Sequence, residues 1–190
     1  MKDTARSLFA GLLTAAAWPG VCASAQAPTY DVCTLDGIQN EQLGRGLAVV
    51  PDYDGDGLAD LAVGGPGLGG NSIVRVFSCV RGTPAVVGTL GANSSCDQLG
   101  FVLAGLGTDR VVVGSPGSSG GGNMQVACTG TPLGCGINQG QIRVFRPGSE
   151  LFCAAGLAAG DQYGYAVAGL GDVDGDGFGD LVVGAPGGTP

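Results

Sequence analysis

The chain has 190 residues, a formal net charge of −8 and no histidine, a length that fits one domain. Eight Lys and Arg against sixteen Asp and Glu leave no basic stripe for nucleic acid. The missing histidine excludes Ser-His-Asp and Cys-His nucleophiles and histidine-ligated zinc. Glycine (39) and proline (10) make up about a quarter of the residues, which without periodicity would suggest disorder. Here the glycines punctuate Val, Leu, Ile and Ala runs and the mean hydropathy is +0.31, so a turn-rich all-β fold is expected.

Residues 1–25 read as a secretory signal peptide. Lys2 and Arg6 form a charged start, Leu8 to Trp18 an apolar core, and Ala23-Ser24-Ala25 a cleavage site before Gln26. That core is too short for a membrane span, and no second apolar stretch of spanning length follows. A secreted, periplasmic or cell-surface location is therefore expected for residues 26–190. Six cysteines remain after cleavage: Cys33, Cys79, Cys96, Cys128, Cys135 and Cys153. An even count in an exported chain favours disulfides, with about 15 possible pairings. The Gly/Pro turn between Cys128 and Cys135 makes that pair the best supported; Cys79 with Cys96 flanks an expected hairpin, and Cys33 with Cys153 stays open. No C-x-x-C spacing suggests thiolate-bound metal.

Tyr30 to Leu35 reads as a lone strand. Next comes Glu41-Gln42-Leu43-Gly44, followed by strands over Gly46 to Val50, Leu61 to Val63, Ile73 to Phe77 and Ala85 to Leu90. Between the first two strands, Asp52-Tyr53-Asp54-Gly55-Asp56-Gly57-Leu58-Ala59-Asp60 puts carboxylates at positions 1, 3, 5 and 9. Alternate residues of a tight loop converge, and the glycines permit the curl. With the carbonyl of position 7, this is the all-oxygen set a hard cation such as Ca²⁺ takes. Without a cation, each like-charge pair at about 4 Å costs about 4 kcal/mol in a surface-like dielectric. An EF-hand is not expected, because position 12 is apolar and both flanks read as strands.

The pattern recurs. Asp97-Gln98-Leu99-Gly100 opens a second unit with strands over Phe101 to Ala104, Val111 to Val113, Gln141 to Phe145 and Leu151 to Ala155. Its acidic loop has shrunk to Gly107-Thr108-Asp109-Arg110. Asp161-Gln162-Tyr163-Gly164 opens a third, with strands over Tyr165 to Ala168 and Leu181 to Val183. Between them lies Asp172-Val173-Asp174-Gly175-Asp176-Gly177-Phe178-Gly179-Asp180. A single such loop is also compatible with a solvated acidic turn; its duplication favours a metal. The turn glycines lie about 60 residues apart, a spacing that suits propellers and arrays.

These residues resemble the FG-GAP repeat, the unit of the integrin α-chain β-propeller. The resemblance covers nearly all of the chain after residue 30, and its third copy, ending in Gly184-Ala185-Pro186, matches best. The family's Phe before Gly is replaced by Leu43, Leu99 and Tyr163. The resemblance implies blades of four antiparallel strands, in repeats of about 41–96, 97–160 and 161–190, giving an incomplete ring of about two and a half blades. It implies two Ca²⁺ sites. One takes Asp52, Asp54, Asp56, the carbonyl of Leu58, and Asp60; the other takes Asp172, Asp174, Asp176, the carbonyl of Phe178, and Asp180. The middle unit is expected to bind none.

Propellers close with about four to eight blades, so a piece of a longer propeller is expected, or self-association through open blade edges. No enzyme chemistry is expected, because the densest carboxylates are accounted for as metal ligands. Asp36, Glu41, Asp97 and Asp161 read as solvated loop acids. The expected function is calcium-stabilised recognition of a protein or glycan, the alternatives being a docking propeller of a secreted hydrolase or a purely structural repeat. The long connection from Pro116 to Gly140 leaves the blade opposite the acidic loops and is the expected recognition surface.

Overall fold

A computed structural model describes residues 34–67, 72–78, 84–91, 98–117 and 138–188. The expected signal peptide, Tyr30 to Cys33, the expected Cys79–Cys96 and Cys128–Cys135 pairs and residues 118–137 of the long connection lie outside the described residues. Of the expected lone strand, Thr34 and Leu35 are described, and neither is in a strand. Cys153 is disulfide-bonded.

Among the described residues the chain is all-β, and no helix is long and apolar enough to cross a membrane. The first sheet runs in the order β1 (Gly46–Val50), β2 (Asp60–Gly65), β3 (Ile73–Ser78) and β4 (Ala85–Gly91). The second repeats it with β5 (Val102–Leu106), β6 (Arg110–Ser115), β7 (Gln141–Arg146) and β8 (Ser149–Ala155). The third unit contains β9 (Ala166–Gly171) and β10 (Asp180–Gly184). Every pairing between the described strands is antiparallel and joins sequence neighbours, so each sheet is a meander; a single parallel bridge, Gly140 with Tyr163, lies outside the strands. The two complete sheets even bulge at the same place, after Val76 in β3 and after Val144 in β7. Among the described residues the sheets do not close on one another.

The blades stack in chain order. Val50, Ala62, Val74, Val76 and Leu90 of the first pack against Leu103, Val111, Val113 and Phe145 of the second, with Leu99 filling the seam. Leu106, Val112 and Val144 form a second cluster that meets Val167 and Leu181 of the third unit. The middle strand β6 is thus covered on both sides, which explains its unbroken Val111-Val112-Val113 run. A large-to-small change at Leu99, fully buried, is expected to cost about 2–5 kcal/mol.

The blades also meet through backbone. The carbonyl oxygen of Gly100 lies where a Cβ on Gly64 would be, and that of Gly164 occupies the same place over Gly114. Both turn glycines have positive φ, 88° and 83°, and the glutamine two residues before each is left-handed as well. The Asp/Glu-Gln-x-Gly motif is therefore a kinked plug, and the glycine of strand 2 in the preceding blade is its socket.

Two of the acids expected in solvated loops are buried. Glu41 is 1% exposed and Asp161 8%, whereas Asp36 is exposed and Asp97 lies outside the described residues. Glu41 accepts the N–H of Ile38 and pairs with Arg75, both at 2.6 Å. Asp161 accepts the N–H groups of Leu157 and Ala158, each at 2.8 Å. A buried carboxylate persists only with such partners. These acids cap the plug that carries them, a role that a motif read as surface loop does not suggest.

Candidate metal centres

Each acidic loop leaves the end of a blade's first strand and returns at the start of its second. In the first, Val50 pairs with Asp60 across the loop; in the third unit Gly171 pairs with Asp180, with a bulge before Leu181. Gly55 and Gly57 have φ of 85° and 82°, Gly175 and Gly177 of 81° and 88°. These values are left-handed, so the curl needs residues without a Cβ.

The curl is held by the acids themselves. Asp52 accepts the N–H of Gly57 at 3.1 Å, Asp54 that of Asp56 at 3.1 Å, and Asp56 that of Leu58 at 2.8 Å. The matching bonds in the other loop are Gly177 to Asp172 at 2.9 Å, Asp176 to Asp174 at 3.1 Å and Phe178 to Asp176 at 2.8 Å. Each of these carboxylates keeps lone pairs beyond the one its backbone bond occupies.

The structure brings together carboxylate oxygens of Asp52, Asp54 and Asp56 within 4.8 Å of one another, and does the same with Asp172, Asp174 and Asp176. Two oxygens bound to one Ca²⁺ at about 2.4 Å can be at most about 4.8 Å apart, so both triads fit that ion. The residue at position 9 is not part of either triad and braces the loop through backbone amides. Asp60 Oδ2 accepts the N–H groups of Tyr53 at 2.6 Å and Asp54 at 3.3 Å, and Asp180 Oδ2 accepts that of Val173 at 2.8 Å. Asp60 is 1% exposed, and its other oxygen, Oδ1, has no hydrogen-bond partner among the described residues. A buried, unpaired carboxylate oxygen is costly unless a cation or donor meets it. Leu58 and Phe178, expected to contribute carbonyls, have exposed side chains.

The middle unit differs at one decisive place. Its β5–β6 turn is Gly107, Thr108 and Asp109, and Leu106 pairs directly with Arg110. Arg110 therefore takes the strand-start position held by Asp60 and Asp180, and its guanidinium lies 3.8 Å from Asp109. A cation of the protein's own stands where the other units place a carboxylate. Burial, and then the charge of Asp109, push the Tyr53 hydroxyl above its ordinary pKa, which puts this turn beside the first loop.

The FG-GAP repeat family matches residues 43–77 and 163–190, which include both acidic loops and the β1–β2 and β9–β10 pairs around them. The chain is an FG-GAP repeat protein. It is similar to integrin alpha-PS2 of Drosophila melanogaster, 30% identical over 143 residues that make up 73% of this chain and 10% of that protein. The chain thus spans about a tenth of the length of that relative. The two sheets correspond to FG-GAP blades.

At the ends of the blades opposite the loops, the residues that follow the turn glycines form a file. The Arg45 guanidinium lies 4.1 Å from the centre of the Phe101 ring, and Phe101 and Tyr165 have ring centres 5.4 Å apart. Sequence reading missed this file; the shared position after each plug glycine is the signal that reveals it.

Proposed function

We propose that the FG-GAP chain is an extracytoplasmic calcium-binding propeller module that recognises a protein or a glycan. Two Ca²⁺ ions bind, one held by Asp52, Asp54, Asp56, Asp60 and the Leu58 carbonyl, the other by Asp172, Asp174, Asp176, Asp180 and the Phe178 carbonyl. The middle repeat binds none. The observation that carries this reading is the buried Oδ1 of Asp60, without a hydrogen-bond partner among the described residues, in a loop whose carboxylate triad has the right span. The ion supplies charge neutralisation; the protein's residues supply the ring of oxygens and hold the loop closed. The role is structural, since every ligand comes from one loop.

Recognition is assigned to the face away from the metals, where the long β6–β7 connection leaves the second blade and the Arg45–Phe101–Tyr165 file stands. Kinship with an integrin α-chain supports an adhesive or recognition role outside the cytoplasm. Repeat boundaries at about 41–96, 97–160 and 161–190, after a signal peptide of residues 1–25, belong to the same reading.

Calorimetric titration with Ca²⁺ tests it. Two sites are expected, with dissociation constants on the order of 10⁻⁴ to 10⁻³ M, as in extracellular modules. Asp174→Ala is expected to leave one. Saturation at about 10 to 100 times Kd stabilises the fold by about 1.4–2.7 kcal/mol, so EDTA lowers Tm. Zero or three sites would sink the assignment.

A further inference from the structure

The short β5–β6 turn of the second blade touches both acidic loops. On one side the carbonyl oxygen of Thr108 accepts the N–H of Asp52 at 2.8 Å, the first carboxylate of the first loop. On the other side Gly179, the residue before Asp180, sits close against the turn. A Cβ added there would lie 3.0 Å from Leu106 Cδ1 and 3.4 Å from the amide nitrogen of Gly107. Gly107 has φ of 66°, a left-handed conformation that most side chains resist. One rigid corner therefore supports the entrance of the first loop and the exit of the other.

We propose that the Gly107–Asp109 turn positions Asp52 and couples the two acidic loops, so that a cation bound in one raises the affinity of the other. The proposal rests on the calcium reading above. A cation held by the Asp52 carboxylate fixes that residue's backbone as well as its side chain. The fixed amide holds Thr108 in place, and through Thr108 the Leu106–Gly107 corner on which Gly179 packs. Ordering that the first ion imposes need not be imposed again by the second, which is positive cooperativity without a large movement. Such a coupling is reciprocal.

Ca²⁺ titration of the full chain and its variants decides the matter, read by calorimetry and by the Ca²⁺-induced rise in Tm. In Asp174→Ala, which empties the distant loop, Kd at the first loop is expected to weaken by about fivefold or more. Gly107→Val forces a β-branched residue into positive φ, and is expected to weaken both sites by a similar factor. Thr108→Ala keeps the carbonyl and is expected to change neither. Equal first-loop affinity in the wild type and Asp174→Ala overturns the coupling while the calcium sites stand. Unchanged affinities in a folded Gly107→Val overturn the positioning role, and if that variant does not fold, the Asp174→Ala comparison alone decides. Failure of the wild type to bind Ca²⁺ overturns the calcium reading and this proposal with it.

Discussion

In both acidic loops the first carboxylate accepts the N–H of the sixth residue, the third that of the fifth, and the ninth that of the second. The surroundings differ. Position 2 is Tyr53 in the first loop, 3% exposed, and Val173 in the other, 69% exposed. The brace at position 9 is fully buried as Asp60 and half-buried as Asp180. The first loop leans on the blade that follows it, whereas the other faces no following blade among the described residues. A loop's curl is thus set by its own nine residues, and its rigidity by its neighbour.

The largest way to break this comparison acts on the blade contacts themselves. Gly64→Ala places a methyl group on the Gly100 carbonyl and is expected to cost about 3 kcal/mol, read by urea unfolding. At Gly184, the same repeat position with no following blade among the described residues, the nearest described atom to a new Cβ is 3.4 Å away. Gly184→Ala is therefore expected to change stability by less than about 0.5 kcal/mol. Equal costs at the two positions would mean that the blades do not stack through these glycines.

The braces sharpen the comparison at smaller scale. Asp60→Ala strands the buried N–H of Tyr53 and frees the part-buried one of Asp54, at a cost of about 1–3 kcal/mol, measured in EDTA to keep metal out of the reading. Asp180→Ala frees one amide near solvent and is expected to cost about 1 kcal/mol or less. A larger loss at Asp180 would reverse the assignment of which loop its surroundings hold.

The smallest effect is on pH dependence. Tyr53 has its pKa raised in the fold, so its contribution to stability is present below the ordinary tyrosine value, about 10, and is lost as pH rises through the folded value. Unfolding free energies compared at about pH 9 and about pH 11 are expected to fall less in Tyr53→Phe than in the wild type. Tyr163, raised by burial, leaves some slope behind. Val173→Phe in the other loop is expected to leave the slope unaltered.

The strands were legible in the sequence because β-branched runs broken by glycine have few other uses, and those expected from 46–50 to 181–183 all exist, differing at their ends by up to three residues. The acidic loops were legible because their geometry is made within nine residues. What escaped notice lies between units. Glu41 and Asp161 read as solvated because nothing adjacent in sequence announces Arg75, Leu157 or Ala158 as partners. Arg110 read as the end of a shrunken loop, and its place as the counterpart of Asp60 emerges only from strand register. The Thr108 contact with Asp52 spans 56 residues through a backbone carbonyl, which no side-chain pattern records.

The meander has a kinetic consequence. Among the described residues each strand pairs with the one made just before it, and each blade packs on the blade made just before that, so these contacts join neighbours in the order of synthesis. Loop-closure entropy is paid in small instalments, and a nascent chain can fold blade by blade as it emerges. The order of assembly then follows the order of emergence, and the plug of each new repeat closes the socket left open by the last.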